Sequence, residues 1–378
     1  MRNTYKTMAL LAGVLVAGGA NAQNSVTLYG VVDTGLMYVY HSAGQTNQFL
    51  MSTGVMSGSR WGLKGSEDLG GGLSAVFQLE NGFDSANGKF FQGGRQFGRQ
   101  AYVGLSGKDT WGTVTFGRQY DPLIDKVQPV QGDNWLAGFY IAPGDVDNSD
   151  NSVRFDNAVK WVSPVWGGFQ VEAMYSFGGV AGAPGSGQTY SAAAGYSSGP
   201  INLAAGYMHV DNGNTTLSTR GTTSADSFFN SSVNAAYASA RSINITRAGG
   251  NYAFGPVTVG GYYSYSEYNP DASSTFRRSE RYHNGSIYAV WYITPAFLTE
   301  LGYNYMRSLG DSSATRHQVA LGADYNLSKR TDVYSVVAYG HATGTDGKGV
   351  AQAVIGSEDI DAGKPSQVIA TVGIRHKF

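Results

Sequence analysis

The sequence predicts an all-β chain that closes into a single 16-stranded antiparallel transmembrane β-barrel, and three observations carry that expectation. Hydropathy alternates with a period of two over many segments of about ten residues, the length of a tilted membrane-spanning strand, with no helical period. The connections between these segments alternate between short turns and long loops. Charged residues make up 14% of the chain, well below the ~25% of soluble domains, yet mean hydropathy is only −0.21. Averaging over alternating lipid-facing and water-facing positions produces that combination.

Strand starts fall near Val26, Ser59, Leu73, Arg99, Thr113, Val153, Phe169 and Thr189, then near Ile201, Ile245, Val257, Tyr282, Ala296, His317, Thr331 and Gln367. In the segment from Ala296, Phe297, Thr299, Leu301, Tyr303 and Tyr305 share one face, while Glu300, Gly302 and Asn304 share the other. Short turns are expected at Asp68–Gly72, Gly107–Gly112, Pro164–Gly168, Ser197–Pro200, Gly255-Pro256, Thr294-Pro295 and Asn326–Arg330. Long loops are expected at His41–Gly58, Phe83–Gly98, Tyr120–Ser152, Asp211–Asn244 and His341–Ser366, with Ser308–Thr315 the briefest. Turns on one side and loops on the other describe an up-and-down barrel with short periplasmic turns and long surface loops. A polar face holding Arg60, Lys64, Arg154, Asp156, Lys160 and Glu300 carries too many charges for a dry core. It is therefore expected to line water, with Trp61, Leu63, Phe155, Val159 and Trp161 facing lipid.

Composition excludes other classes. The chain has no Cys, which removes disulfides, thiol catalysis and Cys-based zinc sites. A net charge of −1 gives no electrostatic footprint for nucleic acid. Residues 1–22 combine Arg2 and Lys6, the apolar run Met8–Ala17 and an A-x-A site ending at Ala22, a cleavable signal peptide. Removing it takes the formal charge from −1 to −3 and leaves 23–378 as one barrel domain. The run Asp145–Asp150 lacks the central Gly and distal Glu of a calcium loop and is expected to be a solvated loop tip. The six His have no zinc spacing, and no Ser–His–acid arrangement stands out. Neither a metal, a cofactor nor an enzymatic role is expected.

The motifs Val26–Asp33, Ser59–Gly70, Gly98–Leu105 and Phe116–Tyr120, with the ending Gly373–Phe378, resemble the general trimeric porins of Gram-negative outer membranes, β-proteobacterial branch. The likeness covers essentially all of Gln23–Phe378. It implies a homotrimer of water-filled channels passing ions and small hydrophilic solutes, set among outer-membrane lipid and lipopolysaccharide. It implies a third loop, here 120–152, folded into the lumen with acids facing basic residues on the wall. It also implies that Phe378 is part of the mark read by the outer-membrane assembly machinery.

The candidate basic wall is Arg60, Lys64, Arg99, Arg118, Arg154 and Lys160. Arg60 and Lys64 share a strand face, as do Arg154 and Lys160, and the resemblance places Arg99 on the inner wall. Alternation from Val114 and Phe116 turns Arg118 outward, with a subunit interface as its alternative role. Asp121, Asp125 and Asp133 are the candidate loop acids. Basic groups facing acids across a narrow water path create a field that filters ions, and the basic wall points to a weak anion preference. A substrate-specific channel is the main alternative, ahead of a surface adhesin or a barrel enzyme.

Overall fold

The computed structural model describes residues 25–212 and 227–378, so the signal-peptide expectation lies outside the described residues. The strands are β1 (Ser25–Ser42), β2 in two pieces (Gln45–Thr53 and Arg60–Gly70), β3 (Leu73–Gly82), β4 (Gln100–Gly107), β5 (Gly112–Gln119), β6 (Phe155–Val162), β7 (Phe169–Ser176) and β8 (Thr189–Ser198). They continue as β9 (Ile201–Asp211), β10 (Ser242–Phe254), β11 (Val257–Asn269), β12 (Glu280–Thr294), β13 (Phe297–Leu309), β14 (Ser313–Asn326), β15 (Thr331–Asp346) and β16 (Ser366–Lys377). The short strand Gly349–Val350 folds back on the end of β15. Every neighbour pairs antiparallel in chain order, and β1 closes the barrel on β16 from Val31↔Lys377 to Tyr40↔Val368. Phe378 adds two backbone hydrogen bonds to Gly30 at the seam, each 3.0 Å.

The face rule holds along most strands. On β13 and β14, Leu301 and Leu321 are half exposed on the outside, whereas Glu300 and Gln318 are buried inside. The long-loop side differs from expectation at β1. Its upper half does not enter a loop but turns at Ala43-Gly44, both at positive φ as a two-residue hairpin requires, and pairs with Gln45–Thr53. The lower half of β1 pairs instead with Arg60–Gly70. Between the two pieces of β2 the chain bulges into the lumen over 54–59. The Asp33 carboxylate fixes that bulge, accepting from Met56 N and Ser57 N at 2.8 Å and from Tyr334 Oη at 2.6 Å.

Local breaks also correct two face assignments. Gly117 at φ 137° accompanies a register shift before Gln119, and Asn157 at φ 52° interrupts β6. The second break reverses the alternation on β6. Phe155, expected toward lipid, is buried in the lumen-side core, and Asp156, expected in the lumen, is exposed beside Arg118. A β-bulge places one extra residue on one strand, and so shifts the faces beyond it.

Asp33→Ala removes a carboxylate that serves three donors, two of them buried. It should cost roughly 2–4 kcal/mol of barrel stability and lower the temperature at which detergent-solubilised protein loses its compact gel mobility. An unchanged transition temperature would contradict the role given to Asp33.

Candidate pore constriction

The connection after β5 enters the barrel instead of the solvent. Asp121 caps a short helix, α1 (Pro122–Lys126), by accepting from Leu123 N at 2.8 Å, and Pro122 occupies the first helical position. Leu123, Val127, Leu136, Phe139 and Ile141 are then fully buried against the inner wall. Tyrosines on that wall tie down the loop backbone. Tyr288 Oη donates to Val130 O at 2.8 Å and Tyr268 Oη to Val146 O at 2.7 Å, and in return Tyr140 Oη of the loop donates to Glu300 O on the wall at 3.1 Å. Lys160 on β6 pairs with Asp125, and Lys126 with Glu172 on β7 at 2.9 Å, clamping the helix to the wall. The last surface connection, 351–365, also folds inward. Gly356 donates to Gln318 Oε1 at 2.8 Å and accepts from Gly144 N at 2.7 Å, and Ser357 bonds Asp150.

These inserts leave a lumen chamber of about 730 Å³. One wall is basic. Arg99 Nε donates to Glu80 Oε1 at 2.7 Å, and Arg60 Nε lies 3.8 Å from the other carboxylate oxygen. Tyr120 donates to Glu80 at 2.7 Å, and its ring lies under the guanidinium groups of Arg99 at 5.6 Å and Arg154 at 5.7 Å. A single carboxylate and one aromatic ring thus hold three guanidinium groups together, in the stacked and forked contacts that favour Arg over Lys. Arg375 lines the same chamber and pairs with Asp332 at 3.1 Å.

Opposing carboxylates come from both inserts: Asp133 and Asp150 from the first, Glu358 and Asp359 from the second. Burial, then repulsion from Asp150 and Asp359, pushes the Glu358 carboxyl up to about 8. Burial, then Asp150 and Asp147, pushes Asp145 up to about 7. Burial and then Asp150 raise Asp133 as well.

Of the expected wall, Arg60, Arg99 and Arg154 line the chamber. Lys64 sits further along β2 toward the turns, over the Tyr29 ring at 5.2 Å. Lys160 is occupied by Asp125 and by Tyr120 O at 3.2 Å. Arg118 does not line the chamber: its Nε donates to Gly98 O at 2.7 Å and its Nη1 pairs with Asp156 at 2.6 Å. Of the candidate loop acids Asp121, Asp125 and Asp133, only Asp133 reaches the chamber, held by Gln128 Nε2 at 2.7 Å. Asp121 is spent on the helix cap and on Asn148 at 3.0 Å, and Asp125 on the clamp. The Asp145–Asp150 run is not a solvated tip; Asp145 is buried and accepts from Asp150 N at 2.9 Å and from Ser152. Glu80, Arg375, Asp150, Glu358 and Asp359 were missed. Alternation from Gln78 on β3 signals Glu80, and alternation against Val372 and Ile374 signals Arg375; nothing local signals the loop acids. Among the described residues no acid or histidine cluster suits a metal ion.

A family model described as Gram-negative porin matches residues 8–345. Outer membrane porin protein 32 of Delftia acidovorans is 29% identical over 99% of both chains. An outer membrane porin protein of Bordetella pertussis is 45% identical over a shorter stretch, 47% of this chain and 48% of that one. Among solved structures, an anion-selective porin from Comamonas acidovorans superposes with a TM-score of 0.72 at 26% identity, covering 94% of this chain and all of that one. The trimer form of OmpT from Vibrio cholerae, at 18% identity and a TM-score of 0.66, shares the fold.

A carboxyl raised to about 8 is charged above that pH and neutral below it. Lowering the pH from 9 to 6 therefore strips negative charge from the chamber, and anion preference in a salt gradient should rise. Glu358→Gln should flatten the part of the curve between pH 7 and 9. A reversal potential constant over the whole range would contradict these placements.

Proposed function

The chain belongs to the Gram-negative porin family and forms a water-filled outer-membrane channel for passive diffusion, and on that premise we propose that the channel favours anions. The observation that carries this reading is the Arg60–Arg99–Arg154 cluster around Tyr120 and Glu80, on one wall of the chamber. Glu80 neutralises part of that wall, and the facing acids are raised toward their neutral form. Three guanidinium groups stand together on this wall although the chain without residues 1–22 is formally −3. The likeness to an anion-selective porin supports the same direction. Lys64 adds a cation along the path toward the turns, while Arg118 and Lys160 brace loops.

We further propose a homotrimer. Strands β4 to β7 have eight residues each, fewer than the ~9–11 that cross a bilayer alone. Beside them, the outer edge of Gln45–Thr53 has no strand partner among the described residues, and Phe49 and Leu36 are 78% and 68% exposed. An open edge is not tolerated in hydrocarbon, so a neighbouring subunit suits this sector. Phe378, at the barrel seam, is the proposed assembly mark, and export follows cleavage after Ala22. A purely passive channel, with no catalytic role, is favoured over a barrel enzyme. The hydrogen-bonded histidines, His41, His209, His283, His317 and His376, meet hydroxyl, amide or carbonyl groups, not carboxylates.

In planar bilayers the protein should insert in events of three equal conductance levels and show an anion-selective reversal potential. The Arg60→Ala/Arg99→Ala double variant should lower the anion-to-cation permeability ratio at least about threefold. A cation-selective wild type would overturn the selectivity reading, and single-level insertions would overturn the trimer.

A further inference from the structure

On the turn side of the inserted loop lies a second cavity, separate in character from the eyelet. It holds about 630 Å³, and Gly168, Ser197, Ala253 and Thr258 place it beside the short turns. That volume falls within the ~300–1,000 Å³ of small-molecule sites. None of Arg60, Arg99, Arg154 or Arg375 lines it. Its two charged side chains, Asp125 and Lys126, are both neutralised, Asp125 by Lys160 and Lys126 by Glu172 at 2.9 Å. The cavity therefore offers a solute hydrogen bonds and contact area but no unpaired charge.

An aromatic ring and fixed amides supply those contacts. Trp135 leaves the loop after the turn 132–134, its backbone N–H donating to Gly132 O at 3.1 Å, and its ring rests against Tyr288 at a centroid distance of 5.3 Å. The ring is half-buried and lines the cavity. On the barrel wall, Asn202 Nδ2 donates to Asn251 Oδ1 at 2.8 Å and Asn251 Nδ2 to Tyr288 Oη at 3.2 Å. Tyr288 Oη in turn donates to Val130 O, which ties this chain of hydrogen bonds to the loop. The chain fixes the Asn202 amide and leaves its oxygen and second N–H for a solute. Asn134, exposed on the loop, adds a second amide, and Ser197 and Thr258 add hydroxyls that both donate and accept.

We propose that this cavity is a subsite for neutral saccharides, in which a sugar ring lays its C–H face on Trp135 while its hydroxyls bond the amides of Asn202 and Asn134. A sugar ring has an apolar face and a rim of groups that donate and accept, and so matches both halves of the lining. An ion gains little where the charges are already paired, and an aliphatic solute would strip water from the amides without replacing its hydrogen bonds. The inference rests on the chain conducting through this lumen, and it names a solute class that the field of the eyelet does not select. Such a subsite slows a passing sugar and leaves diffusion passive.

The test is ion-current recording from the full, folded protein in planar bilayers, with maltose added to both chambers. Maltose should reduce the current saturably, with half-saturation at roughly 1–10 mM, the affinity expected of one stacked ring and a few hydrogen bonds. Trp135→Ala should raise the half-saturating concentration about tenfold, and Asn202→Leu, which keeps the volume but removes the amide, about threefold. Trp291→Ala, exposed on the outer wall, should change nothing. A fall in current that stays linear in maltose, an unchanged response in both cavity variants, or an equal loss in Trp291→Ala would overturn the proposal. So would equal block by caffeine, which stacks but carries no hydroxyls. A preparation that fails to conduct without sugar contradicts the channel reading; one that conducts and ignores maltose contradicts this proposal alone.

Discussion

A loop that must be buried inside a water-filled barrel needs an apolar surface there to rest on. The stretch 120–152 carries Leu123, Val127, Leu136, Phe139 and Ile141, and the inner wall answers with Met208, Ile243, Ile245, Tyr288 and Met306. Hydrophobic burial gives this contact its stability but little direction. Direction comes from polar attachments: the Asp121 cap, the Asp125–Lys160 pair and tyrosine hydroxyls aimed at loop carbonyls. With the loop seated, the free lumen narrows to one side, and the residues left around it define the eyelet.

The division of labour among charges follows from that seating. Acids near the loop's start lie against the wall and are consumed in holding it. Acids further along, Asp133 and Asp150, reach the open side, where the second insert brings Glu358 and Asp359. On the opposite wall Glu80 serves two ends, neutralising part of the arginine cluster and orienting it through Tyr29 and Tyr120. A fixed, water-flanked array of guanidinium groups acts on passing ions without reorganising, which suits rapid diffusion better than tight binding.

Most of the barrel was legible because period-two hydropathy is a local property. The observed starts of β3, β7, β8, β9, β11 and β15 coincide with the alternation, and the turns fall at Gly71-Gly72, Gly199-Pro200 and Gly255-Pro256. Legibility failed where one residue breaks the phase. Asn157 reverses β6, which moved Phe155 inside and Asp156 outside. It failed again at Gln45–Thr53, whose polar composition reads as a loop and whose pairing depends on the Ala43-Gly44 turn. Arg60, Arg99 and Arg154 were recoverable from strand faces and motif likeness. Which aspartate reached the chamber was not, because that depends on contacts between segments distant in sequence.

The two inserts meet inside the lumen, and the absence of native cysteine makes that contact directly measurable. A Cβ built at Gly138 would lie 2.5 Å from Ser357 Oγ. The Gly138→Cys/Ser357→Cys double variant should therefore cross-link spontaneously when oxidised, while its single-channel conductance stays within roughly 20% of the reduced form, since the linked loops already touch. Failure to cross-link in folded protein, or a severalfold conductance change on reduction, would contradict the seated-loop constriction.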